Sequence, residues 1–185
     1  MSDMLIRAPL SRYECSLDDK RRFSVPPPLR ALFGVQVTNQ GLMHHMVILP
    51  WFGGPLALLP MPRWKQLEQP LLELDFTTPD LLAAKRAVLS RAVPTHTDPE
   101  GRILLSPEHL EWIGIPAGTR DRVMVVGLAS HVEVWKADTW TAQDAVTAEQ
   151  YSRHLDALFG AIRPGLALDG GTGEGSGGGS VPEGT

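Results

Sequence analysis

Asp18-Asp19-Lys20-Arg21-Arg22-Phe23-Ser24-Val25-Pro26-Pro27 and Asp98-Pro99-Glu100-Gly101-Arg102-Ile103-Leu104-Leu105-Ser106-Pro107 are two copies of one pattern. Each reads Asp, three residues, Arg, then three mostly apolar residues and a Pro-led segment. Asp98 answers Asp18, Arg102 answers Arg22 and Pro107 answers Pro27, all at one constant offset. A second signal follows in each: Leu56-Ala57-Leu58-Leu59 ahead of Trp64, and Val132-Glu133-Val134-Trp135 ahead of Trp140. Here Val132 answers Leu56 and Trp140 answers Trp64, at a slightly shorter offset, so the first copy is the longer one in its middle. Two separate elements kept in the same order mark an internal repeat. A repeat of this size present twice implies a pseudo-symmetric pair of modules rather than a solenoid.

Working outward, each copy opens on turn chemistry, Asp18-Asp19-Lys20 or Asp98-Pro99-Glu100-Gly101, and continues extended. A short helix follows: Ser106 is an N-cap with Pro107 at the first helical position and Gly114 past the end, and the first copy has Pro27-Pro28 and Gly34. Val123–Gly127 and Val132–Trp135 flank Leu128-Ala129-Ser130-His131 as a hairpin, and Met46–Leu49 and Leu56–Leu59 join through Gly53-Gly54 in the same way. Between the copies Thr78-Pro79-Asp80 opens a helix running to about Leu89. Thr147 with Gln150 makes a capping box, and Tyr151, Leu155, Leu158, Phe159 and Ile162 form an apolar stripe at helical spacing. That stripe is packing surface, within the chain or between subunits.

The 185 residues are 43% hydrophobic, enough for a core, and their formal net charge of -4 excludes a globally basic nucleic-acid binder while permitting a local basic patch. No apolar run is long enough for a membrane span, and the first residues lack the basic and apolar regions of a secretory signal. The lone Cys15 allows no intramolecular disulfide, which fits a reducing, cytosolic setting. From Asp169 to Thr185 eight of 17 residues are Gly, and the stretch carries three carboxylates and no Lys or Arg. Such composition reads as a disordered tail.

The most cationic spot is Lys20-Arg21-Arg22, with Arg30 eight residues after Arg22. In a turn–strand–helix unit these could converge on one face, where arginine reads guanine edges or clamps phosphate. The plainer reading is a solvated turn with Arg22 paired to Asp18. An enzyme is not indicated. His44 and His45 are adjacent, so on a strand they point to opposite faces and cannot easily share a metal. His96, His109, His131 and His154 complete no metal motif, and no nucleophile elbow, P-loop or dinucleotide fingerprint is present. Cys15 has no matching base in sequence and reads as structural. No catalytic residue, metal or cofactor is expected.

Tyr13 to Pro26 resembles the first signature of the MraZ family of bacterial transcriptional regulators. Asp98 to Pro107, with Val123–Gly127 and Glu133-Val134-Trp135, resembles its second. The likeness runs from about Tyr13 to Trp140. It implies a mainly β fold with short helices (α+β): two AbrB-like swapped-hairpin modules in a pseudo-dimeric barrel, over 11–64 and 95–141, with a helical connector at 65–94. A C-terminal helix at 142–168 and the tail at 169–185 complete the division. It also implies a cytoplasmic, nucleoid-associated homo-oligomeric ring. The partner would be double-stranded DNA, bound at repeated promoter elements of a division and cell-wall gene cluster. In related AbrB-type modules the turn arginine and an arginine eight positions on touch DNA. The resemblance thus assigns DNA contact to Arg22, Arg30 and Arg102, joined by Lys20 and Arg21, with Asp18 and Asp98 as motif residues.

Four positions depart from the family pattern. Arg21 stands where the family has Gly, as Gly101 does in the second copy; if that position needs φ > 0, Arg21 costs roughly 1 kcal/mol or more. His109 replaces an apolar residue, Leu110 replaces the second arginine, and Glu100 makes the second turn acidic. The first copy should therefore dominate binding. The alternative is a ring-forming scaffold or interaction protein in which DNA binding is weakened or lost.

Overall fold

The computed structural model describes residues 10–39, 41–73, 78–116 and 118–162. The Gly-rich stretch read as a tail lies outside them. The chain divides into two compact units, residues 1–143 and 144–185.

The larger unit is α+β. In chain order it comprises β1 (Leu10–Ser16), β2 (Arg22–Ser24), α1 (Pro27–Arg30), β3 (Gly34–Thr38), β4 (Gly41–Pro50), β5 (Leu56–Pro60), α2 (Met61–Glu73), α3 (Pro79–Leu89), β6 (Val93–His96), β7 (Arg102–Leu104), α4 (Pro107–Trp112), β8 (Arg122–Leu128) and β9 (Val132–Lys136), and α5 (Ala137–Glu149) begins in it. The caps follow the sequence. Thr78 Oγ1 accepts from Leu81 N–H at 3.4 Å ahead of α3, and Ser106 Oγ accepts from His109 N–H at 3.1 Å ahead of α4. Gly114 ends α4 with φ 76°.

The strands of the two halves interleave. The main sheet runs β1-β8-β9-β5-β4-β3, with β6 also on β4, and β2 pairs β7 separately. All ladders are antiparallel. In the β2–β7 ladder Phe23 faces Ile103, its own counterpart in the repeat. In the β5–β9 ladder Ala57 faces Glu133, its counterpart in the second repeated signal. These two of the ladders between the halves are thus centred on equivalent residues, as a pseudo-twofold axis requires, and both sequence offsets reappear as strand register. The barrel expected from the family likeness is not closed among the described residues. The path ends at β1 and at β3 with no ladder joining them, because β3 pairs only with β4.

Period-2 alternation divides β4 between two cores. Met46 and Ile48 join Phe23, Leu29, Ile103 and Val125 in the central cluster, whereas Val47 and Leu49 join Ala57, Leu59 and Trp64 in a second one under α2. The central cluster keeps the repeat: Phe23 and Ile103, Val25 and Leu105, and Phe33 and Ile113 are all buried.

In the smaller unit, α6 (Tyr151–Ile162) buries none of its residues, and Tyr151, Leu158, Phe159 and Ile162 of the apolar stripe are exposed. Thr147, read from sequence as opening this helix, lies instead in the last turn of α5. The Gln150 N–H donates to the Val146 and Thr147 carbonyls there, and the new helix starts at Tyr151.

Candidate nucleic-acid interface

Each Asp-x-x-x-Arg motif folds into an aspartate-braced turn. In the first, Asp18 Oδ1 accepts from the Arg22 backbone N–H at 2.8 Å and Oδ2 from Arg22 Nε at 2.9 Å. In the second, Asp98 does the same for Arg102, both at 2.8 Å. The backbone closes each turn identically, Arg21 N–H to Asp18 O at 2.9 Å and Gly101 N–H to Asp98 O at 2.8 Å. Aspartate suits this place because its short carboxylate reaches its own backbone a few residues on. The spacing of four then puts the arginine head on the same carboxylate. Partial burial works against the charge on Asp18 and Asp98. The arginine backbone N–H, the guanidinium hydrogen bond and its charge outweigh it and hold both carboxyls below the ordinary value.

The β2–β7 ladder sets the two turns side by side. Val25 N–H donates to Gly101 O at 2.9 Å, and Leu105 N–H donates to Arg21 O at 2.9 Å, the same bond seen from the other half. Arg22 reaches across to Asp98 at 3.8 Å, so Asp98 faces both motif arginines. Arg102 also pairs with Glu100 at 2.9 Å. Arg30 is held by Val25 O at 2.7 Å, Ser24 Oγ at 3.1 Å and, from the other half, Glu100 O at 3.3 Å.

Position 101 favours glycine for its backbone, and a side chain there would also displace the end of Arg30. Its φ is 80°, and a Cβ there would collide with the Arg30 guanidinium. Its counterpart Arg21 has φ 63°, so the strain foreseen from the sequence is present. The counterpart of Arg30 is Leu110, which is buried and sends no guanidinium across a turn. The two halves therefore carry reciprocal pairs, Arg30 with Gly101 and Leu110 with Arg21.

Of the residues singled out from sequence, Arg22, Arg30 and Arg102 are gathered around the paired turns, all three engaged by acceptors. Lys20 is exposed and Arg21 half-buried, and neither makes an ion pair or side-chain hydrogen bond among the described residues. The sequence reading paired Arg22 with Asp18 but missed the bridge to Asp98 and the hold of Glu100 on Arg102. A second carboxylate two residues before Arg102 was the available signal for the latter. Arg120, 3.8 Å from Asp19, had none, because its segment is remote in sequence.

The histidines make no metal centre: no group of three His, Cys, Asp or Glu among the described residues could hold an ion. His45 and His96 are a cross-strand pair with ring centroids 5.7 Å apart. His109 is buried at the place of Leu29, with Nε2 3.5 Å from Arg91 O, and burial lowers its pKa. Cys15 is half-buried against the central core, and burial and Glu14 raise its pKa, so it is a poor nucleophile.

Comparison with known proteins adds to this geometry. A family model described as "MraZ protein, putative antitoxin-like" matches residues 88–160. The Transcriptional regulator MraZ of Thermomicrobium roseum is 32% identical over 142 residues, 76% of this chain and 90% of that protein. The chain belongs to the MraZ family. The MraZ regulator of Moorella thermoacetica is also 32% identical over 142 residues, covering 77% of this chain and 90% of its own, and that of Thermus thermophilus is 30% identical over 132, covering 71% and 84%. The family match at 88–160 takes in the second turn and not the first. Alignments of 142 residues are longer than everything after residue 88, so the MraZ likeness extends into the first half as well. The half outside the family match is the one whose turn has Arg21 in place of glycine.

Proposed function

We propose that this protein is a sequence-specific DNA-binding transcriptional regulator, acting through the surface formed by its two aspartate-braced turns. The family is one of transcriptional regulators, not of enzymes. The observation that carries the reading is the side-by-side placement of the two motif turns across the pseudo-twofold axis. Lys20 and Arg21 are the uncompensated cations of that surface. Arg22, Arg30 and Arg102 are pre-set by their acceptors, which lowers the entropy of presenting a guanidinium edge to a base.

On this reading 11–64 and 95–141 are AbrB-like modules of swapped-hairpin type, a proposal supported by the interleaved ladders. The segment 65–94 connects them, 142–168 carries the C-terminal helix and 169–185 is a tail. The exposed stripe of α6 supports assembly into a homo-oligomeric ring. The targets would be repeated elements upstream of a division and cell-wall gene cluster, at the nucleoid in the cytoplasm. Among the described residues no helix is long and apolar enough to cross a membrane.

A second reading has its own support. Arg22 and Arg102 are ion-paired, and Asp18, Asp19, Asp98 and Glu100 offset most of the charge of the six cations there, Arg120 beside Asp19 included. That favours a ring-forming scaffold with weakened DNA binding. A mobility shift against the DNA upstream of its own gene, at two salt concentrations, separates the two. A salt-sensitive, sequence-dependent shift supports the regulator, and no shift at low salt supports the scaffold.

A further inference from the structure

Among the described residues the second core does not close. Between the end of β4, α2, α3 and the end of α4 lies a cavity of about 410 Å³. Its walls include Leu49, Trp51, Trp64, Leu67, Val88 and Trp112, and among the described residues Arg91 is the one charged residue lining it. The cause is local. Odd positions of β4 point to this side, α2 covers them through Met61, Trp64 and Leu67, and Phe52 (83% exposed) and Trp112 (47% exposed) stand at the surface. Arg91 donates to Ala87 O at 3.1 Å and makes no ion pair among the described residues. Glu108 and Glu111 line an adjoining cavity that Arg91 and Trp112 also border, but neither carboxylate pairs with Arg91.

The volume falls in the range of small-molecule sites, and so does the lining, apolar and aromatic with one polar anchor. A neutral hydrocarbon would leave the guanidinium unused. A nucleotide or other polyanion would meet one cation and no second charge to pair its others. We propose that this cavity binds an amphipathic monoanion, an apolar chain of medium length ending in a carboxylate that pairs with Arg91. The site is separate from the turns and does not depend on their binding DNA.

The full-length protein titrated with decanoate, below its micelle concentration, tests this by tryptophan fluorescence and calorimetry. Binding saturates at one per chain, and decanoate binds more tightly than octanoate by roughly tenfold, since each buried methylene contributes about fourfold at most. Arg91→Gln weakens decanoate by about tenfold or more, the value of a charge-assisted bond, and leaves decanol unchanged. Val88→Trp, at a half-exposed position on the rim, abolishes both while the melting curve stays that of the folded protein. Absence of saturable binding overturns the proposal. So does decanoate affinity indifferent to Arg91→Gln or to chain length. Binding that appears only when L158E with F159E has dissociated an oligomer also overturns it, because the cavity is then a contact between copies.

Discussion

Replacing Arg21 by glycine should stabilise the fold and weaken DNA binding, two effects of opposite sign from one substitution. Arg21 sits at φ 63°, where a residue with a Cβ costs about 1–2 kcal/mol. Glycine removes that strain but gives back roughly 0.5–1 kcal/mol in unfolded-chain entropy. The net gain is about 0.5–1 kcal/mol, and in a chain of this length each kcal/mol moves the melting temperature by roughly 2–4 °C. Gly101→Ala is the converse. Its backbone strain net of the unfolded-chain entropy is about 0.5–1 kcal/mol, and displacing Arg30 from Glu100 O costs roughly 1 kcal/mol more, so melting should fall by about 3–8 °C. Calorimetry of both variants reads the first effect. Titration of operator DNA at several salt concentrations reads the second, where loss of one phosphate contact lowers the logarithmic salt slope by about 0.9 per site. If Arg21→Gly melts lower than the parent chain, the strain argument is wrong. If it melts higher but keeps the full slope, Arg21 does not touch DNA.

Arg22→Ala should weaken DNA binding more than Arg102→Ala, by about five- to a hundredfold per site for a base-reading arginine; equal losses would refute the dominance of the first half. Asp18→Asn should lower stability at neutral pH, because Asp18 is held ionised by Arg22; if it matches Arg22→Ala in DNA affinity as well, Arg22 acts only as a brace. Burial lowers the His109 pKa, so the unfolded chain takes up a proton below about pH 6.5 that the folded chain resists. Stability is therefore full above that pH and falls below it, and His109→Leu, matching Leu29, should flatten the fall; an unchanged pH profile of melting would exclude His109 as its source. Charging the exposed stripe of α6 with L158E and F159E should lower the mass in light scattering without lowering the melting temperature, and an unchanged mass would remove α6 from the assembly.

Local signals in the sequence located most helices and both hairpins because their causes are local: Ser106 and Thr78 cap, Pro107 and Pro79 start, Gly114 stops. The repeat carried more, since equal offsets in the chain become equivalent partners across the axis, as Phe23 with Ile103 shows. β1 and β6 left no such trace. Each pairs with a strand remote in the chain, β1 with β8 and β6 with β4, and neither carries a clean alternation of its own. At the site, Asp18 with Arg22 was legible because four residues separate them. Asp98 beside Arg22, and Glu100 O beneath Arg30, are contacts between opposite halves of the repeat, and only the β2–β7 ladder creates them. Thr147 misled because the Ser/Thr and Glu/Gln spacing of a capping box also occurs inside a helix, where tertiary context decides.

The charge balance of the paired turns bears on how such a protein would bind at all. Lys20, Arg21, Arg22, Arg30 and Arg102, with Arg120 beside Asp19, face Asp18, Asp19, Asp98 and Glu100, a surplus of two. Ion-paired arginines still donate from their free N–H edges, but they release few counterions, so the salt-dependent part of affinity from one chain is small. Modest affinity per chain rises steeply when several sites engage one duplex, provided the spacing of DNA elements matches that of the chains. The regulator reading therefore requires the oligomer, whereas the scaffold reading does not require DNA. A single operator element should bind this protein poorly and a tandem array should bind it roughly a hundredfold better or more, in the range avidity supplies. Equal affinity for one element and for an array, with the oligomer intact, would mean that the paired turns act one at a time and that the near-cancelled charge must be offset by base contacts alone.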